Sequence, residues 1–187
     1  MNPKLYLIGS AVLMILLVLP PILDRLESSM IGVMIVQIPL LVTAGYLAGV
    51  VIGQKLQRKS GSWNANGIPG LLFGLFILFF WILPRSVDAS LNDSYIKLAK
   101  LITLPLMAGI PFGVSWRRVH PVVKGAVKAN LVSMLAVMGW LYLAVPVRVC
   151  NNYLLSQQNA LGKTMLVIAI LLALKWALGA FAKFAHP

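Results

Sequence analysis

The stretch IPGLLFGLFILFFWILPRSVD (residues 68–88) joins a long apolar run to a polar segment that begins at a proline and reaches an aspartate four residues later. The stretch LPPILD (19–24) repeats this order 64 positions earlier, again at the end of an apolar run. A third stretch, VPVRVCNN (145–152), keeps the proline but has Cys150 where the aspartate would stand. We call these segments the three proline turns. Their repetition indicates a chain built from related units.

The composition excludes a soluble globular domain. Hydrophobic residues make up 60% of the chain and charged residues 11%, and the mean hydropathy is +0.90, which is typical of an integral membrane protein. A helix that crosses a bilayer needs about 20 mostly apolar residues. The apolar runs are long and do not alternate, so they are predicted to be helices rather than barrel strands. Six runs qualify: 5–23, 30–52, 68–83, 96–116, 126–145 and 164–181.

The fold predicted from these runs is an all-α integral membrane protein in which six transmembrane helices form three tandem hairpins. The hairpins cover about 1–60, 61–125 and 126–187 of a single polytopic domain, 1–187. The second and fourth runs also share a proline, Pro39 and Pro105, each followed by small residues. A proline removes a backbone hydrogen bond and kinks a helix. The kinks are interpreted as packing features beside glycines, with a binding site in broken helices as the alternative.

The distribution of basic residues predicts the orientation, since cytoplasmic loops carry more Lys and Arg. With the N-terminus inside, nine basic residues face inward: Lys4, Lys55, Arg58, Lys59, Arg117, Arg118, Lys124, Lys128 and Lys183. Six face outward: Arg25, Arg85, Lys97, Lys100, Arg148 and Lys163. Both termini are therefore predicted in the cytoplasm, with the protein in a bacterial inner membrane. The net charge of +12 is explained by topology and anionic lipid, and no nucleic-acid partner is expected.

The reactive side chains are few. One cysteine excludes an internal disulfide, a CxxC pair and an all-thiolate metal site within the chain. The two histidines, His120 and His186, lie in an inner loop and at the C-terminus, so no pair of helix-borne imidazoles is available for haem. No HExxH or GxSxG motif is present. The chain is therefore predicted not to be an enzyme by itself. It is predicted to need no cofactor, and the alternative is a bound copper ion.

Charged and polar residues gather at the proline turns, all on the predicted outer face. They are Asp24, Arg25, Arg85, Asp88, Arg148, Cys150 and Asn151, which we call the outer-face collar. Asp and Arg form bidentate pairs, so the collar is predicted to converge and tie the hairpins together. The alternative is a cation site of Asp24, Asp88 and Cys150, where a thiolate would favour Cu(I). Asp24 and Glu27, beside two serines, are interpreted as having a helix-cap role, and Asp93 as a solvated loop acid.

Lys175 is interpreted as the ionisable side chain that lies well inside a span, in the sixth run. It stands about five residues, or roughly 7.5 Å, from the inner end of the run. Its ammonium can therefore snorkel to the inner headgroups beside Trp176. The alternatives are a pair with a group on another helix or subunit, and a role in transport.

Three segments, 80–88, 139–142 and 146–153, resemble a group of small proteobacterial inner-membrane proteins. The resemblance covers roughly residues 80–162 and implies association with copper or haem-copper respiratory enzymes, similar to the multi-span CtaG-type oxidase assembly factors. The predicted spans of this chain carry no histidine, which departs from the CtaG-type pattern.

These observations predict a non-catalytic accessory subunit or assembly factor of a larger inner-membrane complex, a respiratory oxidase or a copper-dependent monooxygenase. Its expected partners are larger integral membrane subunits and lipids. One alternative is a small transporter or channel, suggested by the repeated proline-containing helices. The other is copper handling at the outer face through Cys150.

Overall fold

The computed structural model describes residues 3–56 and 64–185, with side chains for 3–55 and 64–179. These residues form helices and no strand, which confirms the all-α prediction. The chain divides into two compact units, Met1–His120 (unit 1) and Pro121–Pro187 (unit 2). The first two predicted hairpins fall in unit 1 and the third in unit 2. Arg58, Lys59 and His186, and the side chain of Lys183, lie outside the described part.

Unit 1 contains α1 (Pro3–Val18), α2 (Pro20–Glu27), α3 (Ile38–Leu56), α4 (Ile68–Ile82), α5 (Pro84–Asn92), α6 (Ser94–Thr103) and α7 (Ile110–Trp116). Two π-helical segments, π1 (Gly32–Gln37) and π2 (Leu104–Gly109), run directly into α3 and α7. Unit 2 contains α8 (Pro121–Ala144) and α9 (Leu155–Ala185). Within residues 3–56 and 64–185, four stretches are long and apolar enough to cross a membrane: Gly32–Lys55, Ser94–Trp116, Pro121–Ala144 and Leu155–Gly179. The number rises to six if each bent pair, α1 with α2 and α4 with α5, counts as one span.

The first two proline turns form the same structural element. The chain bends by 69° between α1 and α2, and by 66° between α4 and α5. The residues at the bends, Leu19 and Leu83, are extended, with ψ of 125° and 132°. A proline disfavours the helical conformation of the residue before it but fits the first turn of a helix. The helix therefore stops before the proline and a new one starts there in a different direction.

The prolines within the longer helices are accompanied by π-helical turns. The residue after each π segment, Ile38 or Ile110, donates its backbone N–H to the carbonyl five residues earlier. The next residue is Pro39 or Pro111, whose ring would collide with the carbonyl four residues before it. That carbonyl lies within the wide turn, which makes room for the ring. Pro105, at which the sequence predicts a kink, is itself part of π2.

The two halves of unit 1 meet where α3 packs against π2 and α7. A Cβ atom on Gly45 would collide with the backbone of Pro105, and one on Gly109 would lie 2.5 Å from the carbonyl oxygen of Val42. Small residues allow such backbone contact between membrane helices.

The next turn of these helices shows that the contact is symmetric. Gly49 packs against the backbone of Ile110, and Gly113 packs against the backbone of Tyr46. Gly49 and Gly113 are 64 positions apart, and so are Tyr46 and Ile110. Adding 64 to Gly49 and subtracting 64 from Ile110 therefore gives the second contact, as expected of a twofold internal repeat.

Unit 2 is an antiparallel hairpin of α8 and α9. A Cβ atom on Gly139 would lie 2.9 Å from the carbonyl oxygen of Gly162, and one on Gly162 would lie 2.8 Å from that of Gly139. Further along, the ammonium of Lys128 lies 5.6 Å from the ring centroid of Trp176, within cation–π range.

Candidate functional site

Four polar side chains from distant parts of the sequence meet in unit 1, and we call them the Glu27 cluster. Glu27 is the last residue of α2 and Gln37 the last residue of π1. Lys97 and Lys100 stand three residues apart on α6, a spacing that places both on one helix face. We call the two predicted hairpins of unit 1, which begin at about residues 1 and 61, the first and second repeats. The cluster thus joins the first repeat, through α2 and π1, to the second repeat, through α6.

The contacts within the cluster use both oxygens of the carboxylate. Nζ of Lys97 lies 2.6 Å from Oε2 of Glu27. Nζ of Lys100 donates to Oε1 of Glu27 at 3.1 Å and to Oε1 of Gln37 at 3.0 Å. Nε2 of Gln37 faces Oε1 of Glu27 at a longer 3.5 Å. Both ends of the amide therefore face groups of complementary hydrogen-bonding character.

The cluster is buried on one side and reaches the surface on the other. Lys100 and Gln37 are 0% exposed and Glu27 is 9% exposed, whereas the Lys97 side chain is 29% exposed. Removing charges from water is costly unless they are paired and hydrogen-bonded. One carboxylate and two ammonium groups carry a net charge of +1 when all are ionised. The cluster is therefore a largely buried charge site in which one carboxylate is paired with two ammonium groups.

Two serines after Glu27 and a glycine at the start of π1 allow α2 to lie close to π1. A Cβ atom on Gly32 would collide with the carbonyl oxygen of Leu26 in α2. The serines between them form local hydrogen bonds, since Ser28 Oγ donates to the carbonyl of Arg25 at 2.8 Å and Ser29 Oγ accepts from the N–H of Gly32 at 3.0 Å. The carboxylate of Glu27, interpreted from the sequence as a helix cap, is bound by two lysines of α6.

The structure of α6 adds to two other interpretations. Asp93 is more than a solvated loop acid, because its carboxylate accepts the N–H of Tyr95 at 2.7 Å and caps the helix. Lys100, counted from the sequence among the outward-facing charges, is buried, and its side of the membrane stays a prediction. A signal for this was present, since Lys100 lies within the run 96–116, and ionisable residues inside a span are functional candidates by default. Lys175, the residue singled out instead, is exposed on α9.

The collar residues of unit 1 lie near the Glu27 cluster in the sequence. Asp24 and Arg25 are exposed on α2. Arg85 is exposed and Asp88 is half-buried on α5. α5 packs against α6, the helix to which Glu27 binds, so the first two proline turns lie at the same end of unit 1. Convergence of these residues with the third turn, in unit 2, stays a prediction.

The third proline turn forms the loop between α8 and α9, and Gln158 organises it. Oε1 of Gln158 accepts the N–H of Val149 at 2.8 Å. Nε2 donates to the carbonyls of Tyr142 at 3.2 Å and Val147 at 3.3 Å. In this loop Arg148 and Asn151 are exposed, whereas Cys150 is 1% exposed. Sequence reasoning did not single out Gln158.

We expect the Gln158→Met variant to label at Cys150 with a small maleimide at least about tenfold faster than wild type, because a net hydrogen bond contributes about 1 kcal/mol to stability and three are lost. Reactivity of a buried thiol reports local opening of the loop. The matched control is Gln157→Met, since Oε1 of Gln157 is buried without a hydrogen-bond partner. Equal labelling rates in the two variants would contradict the role given to Gln158.

Across residues 3–56 and 64–185 no three His, Cys, Asp or Glu side chains come together in a group that could hold a metal ion. The fold and site define the class as an all-helical protein with four to six candidate membrane-spanning helices and a buried charge cluster between two repeats. Comparisons with protein-family models, curated proteins and solved structures find no match.

Proposed function

We propose that this chain is a non-catalytic accessory subunit or assembly factor of a larger complex in a bacterial inner membrane, with both termini in the cytoplasm. The proposed partner is a respiratory oxidase or a copper-dependent monooxygenase, as the sequence resemblance implies. The observation that carries the proposal is the closed contact between the two repeats of unit 1.

The closed contact between the two repeats favours a structural role, as a rigid framework, over the transport of a solute. Transporters built from repeats bind their substrate at the interface between the repeats, near the middle of the membrane. In this chain that interface is filled by backbone contact of Gly45 with Pro105 and of Gly113 with Tyr46. These contacts leave no space for a solute at either level. Unit 1 is therefore suited to hold a fixed shape.

Unit 2 offers a surface for a partner helix. Only 11% of the apolar stretch of α8 is buried. Three small residues on it, Gly125, Ala129 and Ser133, are exposed at intervals of four, and the Asn130 amide is exposed beside them. Stripes of small residues and hydrogen-bonding amides are features of helix contacts in membranes. An amide facing lipid would go without a hydrogen-bonding partner, so a second helix stabilises this face.

Purification from native membranes tests the proposal. Tagged protein extracted in mild detergent should retain larger integral membrane subunits. The Ala129→Leu variant should retain about tenfold less of them, which corresponds to about 1.4 kcal/mol of binding free energy, with no change in its own melting temperature. Ala173→Leu, at an exposed position of α9, is the matched control and should behave as wild type. The proposal fails if the protein migrates only as a free small protein and its deletion leaves every membrane oxidase active.

A second candidate, a small transporter, is favoured by the complete burial of Lys100 beside Glu27 and Gln37. Buried ionisable groups often mark ion pathways, and π-helical turns are frequent at functional sites. Solute or proton flux into proteoliposomes tests it. A carrier should lose flux with Gln37→Met and keep it with Lys175→Gln, whose side chain is exposed. Absence of flux in the wild type, or equal flux in both variants, removes the transporter.

A further inference from the structure

The bend between α4 and α5 opens a cleft on the side of unit 1. It has a volume of about 500 Å³, and α4, α5 and α6 each contribute to its walls. We call it the lateral cleft. Its volume falls within the roughly 300–1,000 Å³ of small-molecule sites. None of the four residues of the Glu27 cluster lines it, so it is a separate feature of the unit.

The walls of the cleft are apolar. Ala89 from α5 and Ile96 and Ala99 from α6 contribute aliphatic surface. Trp81 lines the cleft as well, but its indole N–H already donates to Oγ1 of Thr103 at 2.8 Å. The indole therefore presents its ring to the cleft without an unsatisfied donor. This lining suits a hydrocarbon group.

The lining of the lateral cleft carries a charge at only one residue. Arg85 is the single charged residue among the residues that line the cleft, and it is exposed. It stands in the first turn of α5, immediately after the apolar helix α4 ends. Tyr95, also in the lining, is 85% exposed, and tyrosine is enriched at the level of the lipid headgroups. An apolar cleft with a guanidinium at its mouth complements an anionic amphiphile.

The volume of the cleft indicates whether a helix or an acyl chain can occupy it. A helix is about 10–12 Å wide and rises about 5.4 Å per turn, so about 500 Å³ holds roughly a single turn. A partner's transmembrane helix could not be enclosed in it, whereas an acyl chain can lie along it. An arginine binds phosphate through two parallel hydrogen bonds.

We propose that the lateral cleft binds one anionic phospholipid, with an acyl chain against Trp81, Ala89 and Ile96 and the phosphate held by Arg85. The lipid would fill the angle between α4 and α5 and so support the bend. This site is independent of the accessory-subunit function and holds for any role of the chain.

Native mass spectrometry of the full-length protein in mild detergent tests the site. The probe is an equimolar mixture of phosphatidylglycerol and phosphatidylcholine with identical acyl chains. Wild type should retain one phosphatidylglycerol in preference to phosphatidylcholine. Arg85→Gln should reduce that preference about tenfold, as expected for loss of a charge-assisted contact. Arg25→Gln removes an exposed positive charge on α2, outside the lining, and should leave the preference unchanged.

A second variant tests the acyl chain. Ala89→Trp fills the cleft and should lower retention of both lipids by a similar factor, and Ala99→Leu serves the same purpose if the tryptophan variant is not monodisperse. Excess inorganic phosphate should not displace the retained lipid. Equal loss of preference in Arg85→Gln and Arg25→Gln would show general attraction of anionic lipid to a basic surface and would overturn the site. Full retention with the cleft filled would overturn it as well.

Discussion

Replacing Glu27 by glutamine should lower the free energy of unfolding by about 3–5 kcal/mol, the usual cost of removing one partner of a buried ion pair. The substitution preserves the size of the side chain and removes its charge. Lys100, which is 0% exposed, would then lose the carboxylate that lies 3.1 Å away. Because proteins are stable by only about 5–15 kcal/mol, most of the folded protein should be lost on mild heating. Reversible denaturation in detergent, followed by circular dichroism, measures the change.

The other members of the cluster should respond in a graded way. Lys100→Met should cost less than Glu27→Gln, because Glu27 keeps Lys97 at 2.6 Å. Combining the two changes should recover part of the loss, with a coupling energy of at least about 1 kcal/mol, since groups in one network are not additive. Asp24→Asn, at an exposed position of the same helix, should stay within about 0.5 kcal/mol of wild type. If Asp24→Asn costs as much as Glu27→Gln, the stabilising role of the cluster is wrong.

Features that depend on neighbouring residues could be predicted from the sequence. The apolar runs predicted helices, and the Leu-Pro pairs at 19–20 and 83–84 marked the places where the chain bends by 69° and 66°. Both effects act within a few residues, because a proline constrains the residue before it and the turn behind it. The spacing of 64 between the proline turns also predicted the repeat that appears in the contacts of Gly49 and Gly113.

The candidate site could not be assembled in the same way. Glu27 and Lys100 are 73 positions apart, and their meeting depends on the bend at Leu19, on the close approach of Gly32 to α2 and on the packing of α3 against π2. Counting charges for orientation used Lys100 only as a basic residue of the outer side, and its position within the apolar run was not used to look for a partner. A lysine inside a membrane span needs a partner. The partner of Lys100 is Glu27, which lies on a different helix, α2.

The Glu27 cluster and the backbone contacts of Gly45, Gly49, Gly109 and Gly113, which we call the glycine crossing, hold the two repeats together at different levels of unit 1. The cluster joins α2 to α6 at the end that carries the first two proline turns, through charges. The crossing joins α3 to π2 and α7 through backbone contact. Charge pairing tolerates small shifts of long side chains, whereas backbone contact does not. A methyl group added at the glycine crossing should therefore lower the stability of unit 1, because neither backbone can move aside.

Gly45→Ala should destabilise unit 1 by about 3 kcal/mol, at the upper end of the usual cost of overpacking. The new methyl group would collide with the backbone of Pro105, which cannot turn aside as a flexible side chain would. Gly109→Ala should have a similar effect, because it meets the carbonyl of Val42 on the other side of the crossing. Denaturation in detergent measures both variants.

The control substitution, Gly125→Ala, should raise the stability of the protein instead of lowering it. A Cβ atom on Gly125, inside α8, has no neighbour within 4 Å, so Gly125→Ala should stabilise the protein by about 0.5–1 kcal/mol through helix propensity alone. Combining Gly45→Ala with Gly109→Ala should cost less than the sum of the two, because the first methyl group already separates the helices that the second would push apart. Full additivity would mean that the two glycines do not share one contact, and stabilisation by Gly45→Ala would mean that α3 does not touch π2. Either result would remove the closed crossing on which the choice of a framework over a carrier depends.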